Sequence, residues 1–293
     1  MEQGGIKRAI MRHFQPAMLA GICLFWSLLP VRLAQDPFTL LIAAGATPFI
    51  ILGLEYVSER HAAWRFNGRE LAHDLFFVVM SFTLIRFLQD NVAEASIAAL
   101  KARIGLDTAF LQQLPMLVQA AMIVVLIEYG QYWMHRAMHN WHPLWLTHAP
   151  HHHLTQLNAL KGAVGNPVEL FLIGLSVVGL FDFSLTAVFC AAHILAAIGS
   201  FAHANVRFDP PAWYAHVFTT IEHHSLHHST DYAATRSNYA NCLILIDRLH
   251  GTFRAGEGVV LGQDGGRMSV RQIMLFTFLP LIGAVRRMAS GRA

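Results

Sequence analysis

Four stretches of this sequence carry no Asp, Glu, Lys or Arg: Pro16–Val31, Pro37–Leu54, Ala109–Ile127 and Phe183–Ala202. Each approaches the roughly 20 apolar residues that a helix needs to cross a bilayer. Shorter apolar runs lie at Leu75–Ile85, Leu170–Phe181 and Ile273–Val285. The first continues past Arg86 as an amphipathic stretch. Leu170–Phe181 joins Phe183–Ala202 through Asp182 and reads as a helical hairpin whose tip barely clears the lipid. Ile273–Val285 is too short to span unaided and reads as re-entrant or interfacial. The expected fold is therefore all-α: a polytopic membrane helical bundle of about four full spans plus a short or re-entrant hairpin.

Composition excludes the main alternatives. Only 13% of the residues are charged against 55% hydrophobic, about half the charge of a soluble domain. An ordinary soluble enzyme and a disordered chain are both excluded. The net charge of +3 comes with no basic run that would track nucleic-acid phosphates. Cys23, Cys190 and Cys242 are widely separated and suggest no disulfide framework. The N-terminal apolar stretch shows no small-residue cleavage site and reads as a first membrane helix rather than a signal peptide.

The basic residues set an orientation. Lys7, Arg8 and Arg12 precede the first stretch, Arg60, Arg65 and Arg69 follow the second, and only Arg32 lies between. The positive-inside rule then places the N-terminus in the cytoplasm. The two polar segments, 128–166 and 204–270, return to that same side. An inner-membrane protein with a cytoplasmic histidine-rich helical cap is the expected result.

That cap is where chemistry is concentrated. The 18 histidines equal all Asp and Glu together, and most are clustered. HRAMH places His135 and His139 one turn apart on a helical face. HAPHHH contains His148, His151 and His152, and HHSLHH contains His224, His227 and His228, each as H-x-x-H-H. If helical, each of these triplets converges on one side, and three such groups can surround a metal pair. Neutral imidazole is a ligand for Fe, Zn and Cu, and eight rings supply four to each of two metals. No Cys accompanies them, which disfavours structural zinc. Glu128, two turns before His135, is placed to orient a ligand through its second ring nitrogen. His142, His153 and His223 fall outside the phasing, and His13, His61, His73 and His216 read as core or interfacial residues.

These residues resemble the fatty acid hydroxylase superfamily, which includes the sterol desaturases, over about half the chain from Glu128 to Thr252. YWMHRAMH resembles the family's first box, LWLTHAPHH its second, and SFAHAN followed by HHSLHH its last. NYANCLILIDRLHGT, with Asn238, Tyr239, Asp247, Arg248, Gly251 and Thr252, is similar to the closing stretch, although Ile246 and His250 stand where aromatics are usual. The resemblance implies an O2-dependent membrane oxidoreductase with two irons. The metal ligands it implies are His135, His139, His148, His151, His152, His224, His227 and His228, with His203 as a ninth and His193 as a weaker candidate. Relatives carry a His-Pro pair before an acid where this chain reads GNPVE. Asn166 thus replaces a histidine and is expected to complete a coordination sphere through its carbonyl oxygen or a bridging water.

A single integral membrane domain is expected, with membrane hairpins over 1–127, a catalytic region over 128–252 and an interfacial segment over 253–293. The implied reaction is hydroxylation or desaturation at a C–H bond of a fatty acyl or sterol-like membrane lipid. The sequence shows no flavin, haem or iron–sulfur motif, so electrons are expected from a ferredoxin or cytochrome b5-like carrier on the cytoplasmic face. The alternatives are a zinc-dependent membrane hydrolase and a non-catalytic metal or lipid binder.

Overall fold

The computed structural model describes residues 2–264 and 266–282. Residues 283–285 of the last apolar run lie outside them. The described residues are mostly helical, with no strand and only two isolated bridges, Glu59 to Val206 and Ser229 to Leu261.

Among the described residues, four helices are long and apolar enough to cross a membrane: Pro37–Val57, Gly68–Ile104, Met116–Asn140 and Leu185–His203. Helix α1 spans Glu2–Leu28, and we label the four α2, α3, α4 and α7. Each starts where the sequence provides a start. Asp36 caps α2 by accepting from Phe38 N, with Pro37 in the first turn, where its missing N–H costs nothing. Asn67 caps α3 by accepting from Arg69 N and Glu70 N, and Ser184 caps α7 by accepting from Ala187 N. Helix α3 ends at Gly105 with φ of 64°, a left-handed conformation that glycine adopts without a Cβ penalty.

Three segments depart from the sequence reading. The N-terminal stretch Pro16–Val31 is not among the four, because α1 mixes its apolar half with Lys7, Arg8, Arg12 and His13. The short run Leu75–Ile85 instead belongs to a 37-residue helical stretch. Its continuity rests on two π-helical segments, Ser81–Ile85 and Gln89–Glu94, which carry it past Arg86 and Asp90. Those two charges pair with each other on the helix surface. The predicted hairpin limb Leu170–Phe181 is also not one helix. It folds as a short helix α6, Pro167–Ile173, and then turns at Gly174, where a Cβ would lie 1.8 Å from Gln89 Nε2. At its tip Asp182 accepts from Lys101 Nζ, Thr108 Oγ1 and Thr108 N, which ties the connection to the end of α3.

Helix α7 is the centre of the bundle, with 56% of its apolar window buried against 17% for α2. It packs against α1, α2 and α4 through Phe189, Cys190, Ala197 and Phe201. The outward faces of the spans expose Ile42, Val79, Phe87 and Val125. So much exposed apolar surface is stable only against lipid. His193 lies inside this bundle, receiving Trp26 Nε1 at 3.2 Å and meeting Thr47 Oγ1 at 2.8 Å.

The cap is built from short helices: α5, His142–His152, α8, Ile221–His227, α9, Ile244–Leu249, and α10, Val270–Phe276. Its orientation is testable at Thr155 and Asp231, both exposed. Cysteines placed there are expected to react with an impermeant thiol reagent only after the cells are opened. Labelling of either in intact cells overturns the cytoplasmic assignment.

Candidate metal centre

Nine buried histidines meet where the ends of α4 and α7 join α5 and α8. They form two groups in which the ligand nitrogens all lie within 4.8 Å of one another: His135, His139, His148, His152 and His227 in the first, and His151, His203, His224 and His228 in the second. The groups adjoin, since the His152 and His228 rings stack at 4.6 Å.

The three sequence boxes do not each serve one side. Pairs four apart stay together: His135 with His139, His148 with His152, His224 with His228. The residue at i+3 crosses over, so that His151 leaves its helix-mates for the second group and His227 joins the first. The reason is rotational. At 3.6 residues per turn, i+3 and i+4 point about 100° apart, so each H-x-x-H-H box supplies both groups.

The rings are oriented by acceptors that can only accept. His135 Nδ1 donates to Tyr239 O at 2.6 Å, His227 Nδ1 to Ser237 O at 2.7 Å, His151 Nδ1 to Val164 O at 2.7 Å and His203 Nδ1 to Gly199 O at 2.8 Å. A neutral imidazole has one proton, so in each of these rings Nε2 is a bare lone pair. Yet Nε2 of His135 and Nε2 of His227 lie 3.0 Å apart. Two lone pairs at that distance repel unless a cation lies between them. Two nitrogens each about 2.1 Å from one ion, at right angles, are about 3.0 Å apart. His139 Nε2 is buried with no hydrogen-bond partner among the described residues. The residues present therefore fit a metal in each group.

Burial also keeps the rings in the form that binds metal. It holds His148 down to about 3 and holds His152, His224, His227 and His228 well below the ordinary range, assisted in these four by neighbouring histidines. Glu169 is the acid of the centre, and its Oε1 lies 2.6 Å from His148 Nδ1. Burial pushes its carboxyl up to about 8, against the opposing pull of His151. A cation at His148 Nε2 reverses that balance and favours the carboxylate.

Two expected contributors have other roles. Glu128 does not reach His135. Its Oε2 accepts from Cys242 N at 2.7 Å and Leu243 N at 3.1 Å, fixing the segment whose Tyr239 carbonyl holds that ring. Asn166 does not point at the histidines. It caps α6, accepting from Val168 N at 2.9 Å, while its Nδ2 donates to Ile273 O at 2.8 Å. Glu169 completes this capping box by accepting from Asn166 N at 3.2 Å. The pattern N-x-x-E signals that arrangement in the sequence, and Glu169 is the residue the sequence reading missed. Replacing Asn166 with Ala is expected to cost about 1 kcal/mol of stability and, by freeing Glu169, about tenfold in turnover. Asn166→Ser keeps a cap acceptor without setting a charge against Ile273 O and should retain most of the turnover; thermal unfolding and turnover of the two variants check this.

His153 meets Gly266 O and Phe276, His223 meets Thr220 and Phe253, and His142 is exposed; none joins either group. The supporting carbonyls depend on a loop held by Asp247, which accepts from Tyr239 N and Ala240 N at 2.8 Å each. Asn238 turns that loop with φ of 54°, a conformation that asparagine tolerates better than most residues.

Beside the second group lies an apolar cavity of about 370 Å³, lined by residues including Pro48, Val78, Phe82, Ile85 and Leu195. Its wall includes Gly162 and Gly199, whose backbone accepts from His203 Nδ1 at 2.8 Å. A Cβ on Gly162 would stand 3.3 Å from His203 Cε1 and Nδ1.

The fold and the site together define a polytopic membrane protein with buried histidine clusters capable of binding metal. Residues 120–252 match the fatty acid hydroxylase family model, and through this region the chain is similar to that family. It is similar to the ornithine lipid hydroxylase OlsE of Rhizobium tropici, 32% identical over 48% of this chain and 43% of that protein. It is also similar to the Delta(7)-sterol-C5(6)-desaturase of Nicotiana tabacum, 30% identical over 47% of this chain and 50% of that protein, and to the alkylglycerol monooxygenase of Homo sapiens, 28% identical over 46% and 31%. The chain thus spans half or less of the length of these relatives. No solved structure matches it. By name these relatives are a hydroxylase, a desaturase and a monooxygenase.

Proposed function

We propose that this protein is an O2-dependent diiron enzyme that hydroxylates or desaturates one C–H bond of a membrane lipid. The observation that carries the reading is the pairing of a five-histidine group with a four-histidine group. Structural zinc takes four ligands in a tetrahedron, usually with Cys among them. A fifth convergent imidazole instead suits iron, which accepts five or six ligands of this type.

The residues divide the work. Nine imidazoles hold the metals, and Tyr239 O, Ser237 O, Val164 O, Gly199 O and Glu169 fix their rings. Outer partners of this kind set both orientation and basicity. Bound there, iron supplies the one-electron O2 chemistry that no side chain provides. The apolar cavity excludes water and presents a chain carbon beside Gly162 and Gly199, next to the His203 ring. Regions 1–127 and 253–293 would anchor this catalytic region at the inner membrane, with the centre facing the cytoplasm. Electrons come from a separate carrier, a ferredoxin or a cytochrome b5-like protein.

Elemental analysis and oxygen uptake of the purified chain test the reading. About two irons per chain, with O2 consumed only when lipid and a reductant are present, is the expected result. Stably bound zinc with lipid hydrolysis and no O2 uptake establishes the hydrolase instead. Metal without any turnover establishes the binder.

A further inference from the structure

We infer that Lys161 is a positioning residue for the second histidine group, acting through the short strap of residues 158–164. The inference rests on the proposed reading that this group holds a metal.

Lys161 is buried, at 1% exposure, in a chain with little charge anywhere. Its Nζ donates to Asp74 Oδ1 at 2.6 Å and to Glu70 Oε2 at 3.0 Å, both from the first turns of α3. Asp74 is fully buried; its other oxygen accepts from Asn158 Nδ2 at 2.8 Å. Arg267 pairs with the second oxygen of Glu70, so two cations face two carboxylates. From α2, Glu55 Oε1 accepts from Ala159 N at 2.8 Å. Residues 158–161 are thereby pinned to two membrane helices, Asn158 and Lys161 to Glu70 and Asp74 of α3 and the Ala159 amide to Glu55 of α2.

The strap then makes a tight turn, Lys161–Ala163. Gly162 comes against the His203 ring, and Val164 O accepts from His151 Nδ1 at 2.7 Å. His203 and His151 are two of the four members of the second group, and neither belongs to the first. A buried ion pair contributes little net stability compared with apolar packing of the same volume. Its directional bonds do fix where the strap lies, and the strap fixes two rings. Losing Lys161 should therefore loosen one metal and leave the other.

The test uses the full chain, purified in detergent as wild type, as Lys161→Met and as Lys161→Met with Asp74→Asn. The double variant removes the carboxylate that the single variant leaves stranded. In both, iron per chain should fall from about two to about one. One of two Mössbauer components should disappear, and resistance of one metal to chelator should drop about 10–100-fold. In metal-free protein, hydrogen exchange at 158–164 should quicken in both variants while α4 and α7 stay protected. If both variants keep two irons with unchanged chelator resistance, or if exchange at 158–164 does not change, the inference is overturned. A double variant that fails to fold also overturns it, since the role would then be global. Wild-type protein that binds no metal refutes the proposed function on its own, and the exchange measurement still reads the strap.

Discussion

His135→Ala is expected to leave the chain folded but without turnover, and to reduce its metal content from about two ions towards one. His135 is held by Tyr239 O, and its Nε2 lies 2.9 Å from that of His148 and 3.0 Å from that of His227. His152→Ala and His228→Ala should act alike, the former on the first group and the latter on the second. Removing only an outer partner of a ligand typically costs 10–100-fold, so loss of a ligand should exceed about 100-fold. The controls are His153→Ala and His223→Ala, which carry the same chemistry in the same boxes but lie outside both groups. They should keep full metal content. Elemental analysis beside a turnover assay decides the assignment, and retention of both metals in all three ligand variants would falsify it.

Glu169→Ala should be the most damaging change at a residue that touches no metal. It removes the acceptor of His148 Nδ1 and also half of the capping box that starts α6. The expected loss is about 10–100-fold in metal affinity. Glu169→Gln separates the two roles. Its amide oxygen can still accept from His148, but its NH2 cannot accept from Asn166 N as Oε2 does. It should bind metal better than the Ala variant and melt lower than wild type. Chelator competition and thermal unfolding on both variants measure these effects. Equal metal affinity in Glu169→Ala and wild type would remove Glu169 from the centre.

Much of the molecule could be read from local pattern. Uncharged runs reveal spans because lipid offers backbone groups no alternative partner, and three of the four spans coincide with such runs. The π segments of α3 gave no such signal. Its helix continues through Arg86, Asp90 and Glu94 because these charges pair along its exposed side. The histidine boxes were legible for a similar reason: four-residue spacing stacks side chains on one face whatever the rest of the chain does.

Local pattern alone determined that this chain is a helical membrane protein, and which histidines are phased for metal. It also held the N-x-x-E cap at Asn166. Tertiary structure alone decided how the nine rings are shared. Each H-x-x-H-H helix faces both groups, so the partition depends on where α4, α5, α7 and α8 meet. It likewise decided what orients most of the rings, because those acceptors come from other segments of the chain: Tyr239 O for His135, Val164 O for His151 and Glu169 for His148. Spacing along a helix sets the direction of a side chain, whereas its partner is set by whichever distant backbone packing brings within reach.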